Sequence, residues 1–300
     1  MKPYPRFSRQ WLLMVPPFLA TYILTNIPTS AATLALSQSD LYLTNFNQNV
    51  AAIELVNQAN ISGKTNGGTF AAQNNANNNY STSPPEVSSS AFSLAFGNNS
   101  DYAGKAETKA QVVANFDVDA KEYFNFDFTV SLTLQTHIDN LLLEHANAKG
   151  DISLLLFDTT NIPVDDIRNF FSVFISPKTG KVKYQPLDFL AINASLNTPG
   201  FLDSIDSQHS QNITFNQQLR NPNFGGNDEN ASILVKGSLK RYFEQKSNLT
   251  LLALRRNQTH VSIPEPTNQV ALILLAIISA MGVYKFRKPA KNKVKILRHL

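Results

Sequence analysis

Phe124-Asn125-Phe126-Asp127-Phe128-Thr129-Val130-Ser131-Leu132-Thr133-Leu134-Gln135 alternates apolar and polar without a break. Successive side chains of a strand point to opposite faces, so this period of two predicts a strand with one buried and one wet side. The pattern recurs on either flank. Val112, Ala114, Phe116 and Val118 alternate with Val113, Asn115 and Asp117, and Phe92, Leu94 and Phe96 alternate with Ser93 and Ala95. Ile233, Val235 and Leu239 form another set, in which Gly237 predicts a bulge. Residues 153–157 and 170–175 are apolar runs that fit strands buried on both faces. Residues 176–180 read as a turn into a hairpin strand at 181–184, and 249–254 and 259–263 supply the last strands.

Helical patterns are few. Residues 139–148 fit a helix and a strand–turn continuation equally, and 163–170 suit a short helix with Pro163 near its start. No repeat of fixed period is present. Many strands with almost no amphipathic helix predict an all-β chain, an antiparallel β-sandwich of jelly-roll kind over residues 33–262. One segment departs from the pattern. Residues 62–90 hold Gly63, Gly67 and Gly68, the run QNNANNN at 73–79, and a Ser- and Pro-rich stretch. Their low apolar content predicts a low-complexity surface loop inside a single domain.

The chain has 300 residues and no cysteine, which excludes disulfides, thiolate nucleophiles and cysteine-held metal centres. Its formal net charge is +4, but the charge is unevenly placed. Residues 1–32 carry three basic groups and no acid, and 285–300 carry seven and no acid. Residues 33–284 therefore hold 16 basic against 22 acidic groups, a net of −6. An acidic body argues against nucleic acid as a partner, because phosphate binding rests on clustered cations.

The two ends read as targeting segments. Residues 1–32 have a basic start, an apolar stretch from Trp11 to Ile27, and small residues before a cleavage point between Ala32 and Thr33, the parts of a signal peptide. Pro16-Pro17 interrupts the apolar stretch and disfavours a long membrane helix there. At the other end, Val270 to Tyr284 carries no charge and is followed by seven cations. With its flanking residues it predicts one slightly short transmembrane helix, its tail in the cytoplasm and residues 33–263 outside. Pro264-Glu265-Pro266 stands just before it, held extended by its two prolines.

This order of Pro264-Glu265-Pro266, short apolar helix and basic tail resembles the PEP-CTERM sorting signal of bacterial envelope proteins. The resemblance covers residues 263–300. It implies export, membrane retention with the body outside, processing by an exosortase, a membrane transpeptidase with its own cysteine, and release to the cell surface or beyond. It also implies extracellular polysaccharide as a contact of the body. The tail of sixteen residues after Tyr284 is longer than this signal usually carries.

Motifs for chemistry within the body are weak. Ser62-Gly63-Lys64-Thr65 resembles half a phosphate loop, but Gln58 stands where that loop needs its first glycine. His137 and His145 flank Asp139 and Glu144 without the spacing of a zinc site. Asp158, Asn161, Asp165 and Asp166, and separately Asn227 to Asn230, are oxygen-rich enough for calcium but lack a hand-type spacing. No serine stands in an activating context. The expectation is a non-enzymatic envelope protein with no cofactor and no metal. The alternative is a lectin-like or glycan-hydrolysing sandwich, which needs a groove lined by aromatics or by two close carboxylates.

Overall fold

Residues 33–98, 101–162, 185–200 and 202–263 are described by a computed structural model. They form β1 (Thr33–Thr44), β2 (Val50–Thr65), β3 (Thr69–Thr82), β4 (Pro85–Asn98), β5 (Tyr102–Val118), β6 (Glu122–Ile138), β7 (His145–Asp158), β8 (Asp188–Thr198), β9 (Ser204–His209), β10 (Ile213–Asn223), β11 (Asp228–Phe243) and β12 (Ser247–Ile263). No helix occurs among the described residues. The strands pair antiparallel into two six-stranded sheets, ordered β10-β11-β6-β1-β4-β3 and β2-β5-β12-β7-β8-β9. These pack face to face as a β-sandwich. The expected signal peptide with Ala32, the hairpin and short helix within 163–184, and the segment 264–300 with Pro264, Glu265 and Pro266 lie outside the described residues.

The main core follows from the alternation in β6. Phe124, Phe126, Phe128, Val130, Leu132 and Leu134 are all buried between the sheets, against Val112, Ala114 and Phe116 of β5 and Leu249 and Leu251 of β12. Phe46 packs on Phe116 and Phe126, and Phe124 packs on the same two rings, with centroid distances of 4.8 to 5.8 Å, the spacing of favourable aromatic pairs. The apolar run at 153–157 is expected to be buried on both faces but is fully buried on one only, since Ser153 and Leu155 on the other are half-buried. Leu154 and Leu156 enter the main core, while Phe157 packs outside the second sheet with Val113 and Leu252.

The structure corrects several expectations. Residues 62–90 are not a loop: they end β2, form all of β3 and begin β4. The run 73–79 alternates after all, with Gln73, Asn75, Asn77 and Asn79 exposed and Asn74, Ala76 and Asn78 half-buried. Small residues and asparagine carry this period weakly, and pairing with β4 over the whole length of β3 supplies what intrinsic propensity does not. Of the two readings of 139–148 the strand–turn continuation holds: residues 139–144 are a turn leading into β7, closed by the Glu144 carboxylate accepting from the Asp139 and Asn140 amides at 2.7 and 3.2 Å. The last strand is continuous from Ser247 to Ile263. The bulge lies opposite Gly237, between Phe215 and Gln217 of β10. A Cβ on Gly237 would stand 2.3 Å from the Thr214 carbonyl oxygen, so glycine is required by that close approach.

Phe92, Leu94 and Phe96 also face the other way. They form a separate cluster with Leu34 and Leu36, while Ser93 and Ala95 point between the sheets. The reason is a polar seam across the interior. The Ser93 hydroxyl bonds Thr108 at 2.7 Å and the Asn257 carbonyl at 3.2 Å. Asn257 donates to the Ala91 carbonyl at 2.6 Å, and Ser37 to the Lys149 carbonyl at 2.8 Å. These short cross-sheet bonds leave no room for rings. Beyond the seam a small cluster of Ala35, Ala95, Tyr102, Ile138, Ala146 and Val261 closes one end of the sandwich.

Candidate functional site on the outer face of the second sheet

The alternation that fills the core also fixes what the outer face presents. Gln58, Lys109, Arg256 and Asp151 stand in one cross-strand row over β2, β5, β12 and β7, and Val56, Gln111, Leu254 and Ser153 stand in the next. The two rows line a groove of about 280 Å3. In the row beyond, Glu107 accepts from Arg256 Nε at 2.9 Å and pairs with Lys105 and Lys109 at 3.2 and 3.5 Å. Burial works to raise the Glu107 carboxyl, but the Lys105 hydrogen bond and the Arg256 charge outweigh it and hold it below the usual range. Asp151 goes the other way. Burial raises its carboxyl, and Arg256 and Lys149 only partly offset that.

Four cations, Lys105, Lys109, Lys149 and Arg256, surround two acids on this patch, whereas residues 33–263 as a whole hold 16 basic and 21 acidic groups. The groove is locally positive on an acidic body. Gln58, Gln111 and Ser153 can each donate and accept, which suits a polyhydroxyl chain, and Arg256 and Lys109 suit its carboxylates. No aromatic ring lines the groove among the described residues.

Arg255 and Arg256 are consecutive and therefore point apart. Arg255 is 2% exposed, between the sheets, where its Nη2 donates to Asn78 Oδ1 at 3.1 Å and to the Ser89 hydroxyl. Its Nε and Nη1 have no partner among the described residues. Burial brings its pKa down to about 9, against the opposing pull of Asp40.

The residues singled out in the sequence are dispersed. Thr33 opens β1, fully buried, and accepts from the Tyr102 hydroxyl. Ser62 to Thr65 end strand β2, with no helix N-terminus after them. His137 lies between two carboxylates, with Nδ1 at 2.5 Å from Asp228 and Nε2 at 3.0 Å from Asp139. Asp158 caps its own turn, accepting from the Thr160 amide and hydroxyl at 2.9 and 2.6 Å. Glu229 is buried and accepts from the Gly225 amide at 2.8 Å and from the Thr198 hydroxyl. Among the described residues, no three histidine, aspartate or glutamate side chains are placed to share a metal ion. The groove residues were missed. Their only trace in the sequence is the polar half of each alternating strand, which looks alike on every solvated sheet.

No family model matches the chain, and no curated protein matches it either.

Proposed function

We propose that the chain is an exported, non-catalytic envelope protein, anchored by residues 263–300 and processed at Pro264-Glu265-Pro266 by an exosortase-like transpeptidase. One observation carries the reading: among the described residues the strands run from Thr33 to Ile263, the body that the sequence sets between its two end segments. The strand order supports a jelly roll, with β4-β1-β6-β11 opposite β5-β12-β7-β8. In that reading β1 takes the place of a jelly roll's last strand, so the body's two ends meet at one pole. A single pole of attachment suits a protein released by one cut. The Glu265 carboxylate is the group the enzyme reads, as an ionised acceptor on an extended tripeptide. In a host that has the enzyme, Glu265→Gln should leave body stability unchanged and accumulate a membrane-bound form with its C-terminal segment intact. Wild-type processing of that variant would sink the sorting claim.

The groove supports a polysaccharide partner for the body, with carboxylate-bearing chains favoured over neutral ones by Lys109 and Arg256, which line it, and by Lys105 and Lys149 on the surrounding patch. The hydrolase reading is less well supported, because Glu107 is tied to three cations and no ring among the described residues stands in the groove to seat a sugar. Full-length protein in mild detergent should be retained on a uronic-acid polysaccharide more strongly than on a neutral one, and Arg256→Ala should weaken that retention about tenfold. Equal retention of wild type and Arg256→Ala contradicts the assignment of the groove.

A further inference from the structure

Among the described residues the sandwich has four edge strands, and they are not alike. β10 carries Arg220 and Pro222. β9 is six residues long and carries Asp206. β2 carries Glu54 and Lys64 and shifts register between Val50 and Ala52. Short length, charge, proline and bulges are the devices by which sheet edges avoid pairing with other chains. β3 has none of them. Its fourteen residues, TFAAQNNANNNYST, hold no charge and no proline, and pair with β4 in unbroken register from Thr69 to Thr82. It is the terminal strand of its sheet, and its outward side chains Gln73, Asn75, Asn77 and Asn79 are exposed.

We infer that β3 is an assembly edge, which pairs antiparallel with β3 of a second copy of this chain and joins two six-stranded sheets into one. The chemistry selects a second copy. Across a two-fold axis the strand meets itself, and each asparagine or glutamine amide both donates and accepts, so a ladder of them is its own complement. No like charges are opposed in any register, because the strand has none. Backbone pairing supplies affinity and the amide ladder supplies register. The acidic bodies repel one another, so association should strengthen as salt is added, opposite to the behaviour of a polyanion on the groove.

The test uses the full chain in mild detergent, where the absence of cysteine makes single-thiol variants clean. Asn75→Cys, Asn77→Cys and Asn79→Cys should give disulfide dimers on oxidation, with the yield highest at the position nearest the axis. Gln217→Cys on the β10 edge should stay monomeric. By sedimentation, Asn75→Lys combined with Asn77→Lys should weaken dimerisation at least tenfold while the unfolding temperature holds. Three results overturn the inference: equal cross-linking at β10, a dimer indifferent to the two lysines, or a chain that stays monomeric and takes up another protein's strand instead.

Discussion

Tyr102 donates its hydroxyl to Thr33, the first residue of β1, and is also the register partner of Ile263, the last residue of β12. One residue thus ties the start of β1 to the end of β12, through its hydroxyl on one side and its strand pairing on the other. Burial is the main reason its phenol is pushed up to about 12, with Glu144 and Asp139 adding to the effect against the Thr33 bond. A Cβ on Gly97 would stand 2.1 Å from the ring, so the fold leaves that space to the tyrosine alone.

Tyr102→Phe keeps the ring and strands the buried Thr33 hydroxyl. Leaving a buried polar group without a partner costs about 1–3 kcal/mol, and the thermal midpoint should fall accordingly while the far-ultraviolet strand signal is retained. An unchanged midpoint would mean that the Thr33 hydroxyl finds another partner.

Phe126→Ala removes a ring that packs on Phe46 and Phe124 in the middle of the main core. The loss of contact and the cavity together should cost about 3–5 kcal/mol, measured by urea unfolding. A cost below about 1 kcal/mol would contradict the packing described.

How much of this was legible beforehand depended on side-chain size. Where the alternating residues were Phe, Leu and Val, as in β6, the strand, its face and its place in the core followed from the period alone. Where they were Asn, Ala and Ser, as at 73–79, the same period was present but carried too little hydrophobic contrast to see. The phenylalanines of β4 misled in a different way. Alternation shows that 92, 94 and 96 share a face, but the cross-sheet bonds of Ser93 and Asn257 decide which face turns inward. The groove was illegible because it is made by registering four strands distant in sequence.

Arg255→Met should leave the thermal midpoint unchanged or raise it. The guanidinium is buried with two nitrogens unpartnered among the described residues, and the hydrogen bonds to Asp40 come from Gln38 and Ser131 at 3.3 and 3.2 Å. Replacing a poorly compensated buried charge by an apolar side chain of similar length is commonly neutral or stabilising. A drop of several degrees would show that the free nitrogens are satisfied by internal water.

His137 should give stability a pH dependence. Burial opposes its protonation, but hydrogen bonds to Asp228 and Asp139 outweigh that and hold its pKa above the ordinary 6.5. A folded-state pKa above the unfolded value means stabilisation that is complete below about pH 6.5 and lost as pH rises through the folded value. The midpoint of the wild type should therefore decline across that window, and His137→Gln should lack the decline. Parallel pH profiles for the two proteins would remove the histidine from the account.

The most direct measurement is the intact mass of the mature protein from its native host. Removal of both end segments predicts a species that starts at Thr33, ends close to Glu265 and is well below 33.2 kDa, apart from any group the transpeptidase adds. A mature protein that retains residues 264–300 would contradict the proposal that this chain is cut at its Pro-Glu-Pro signal.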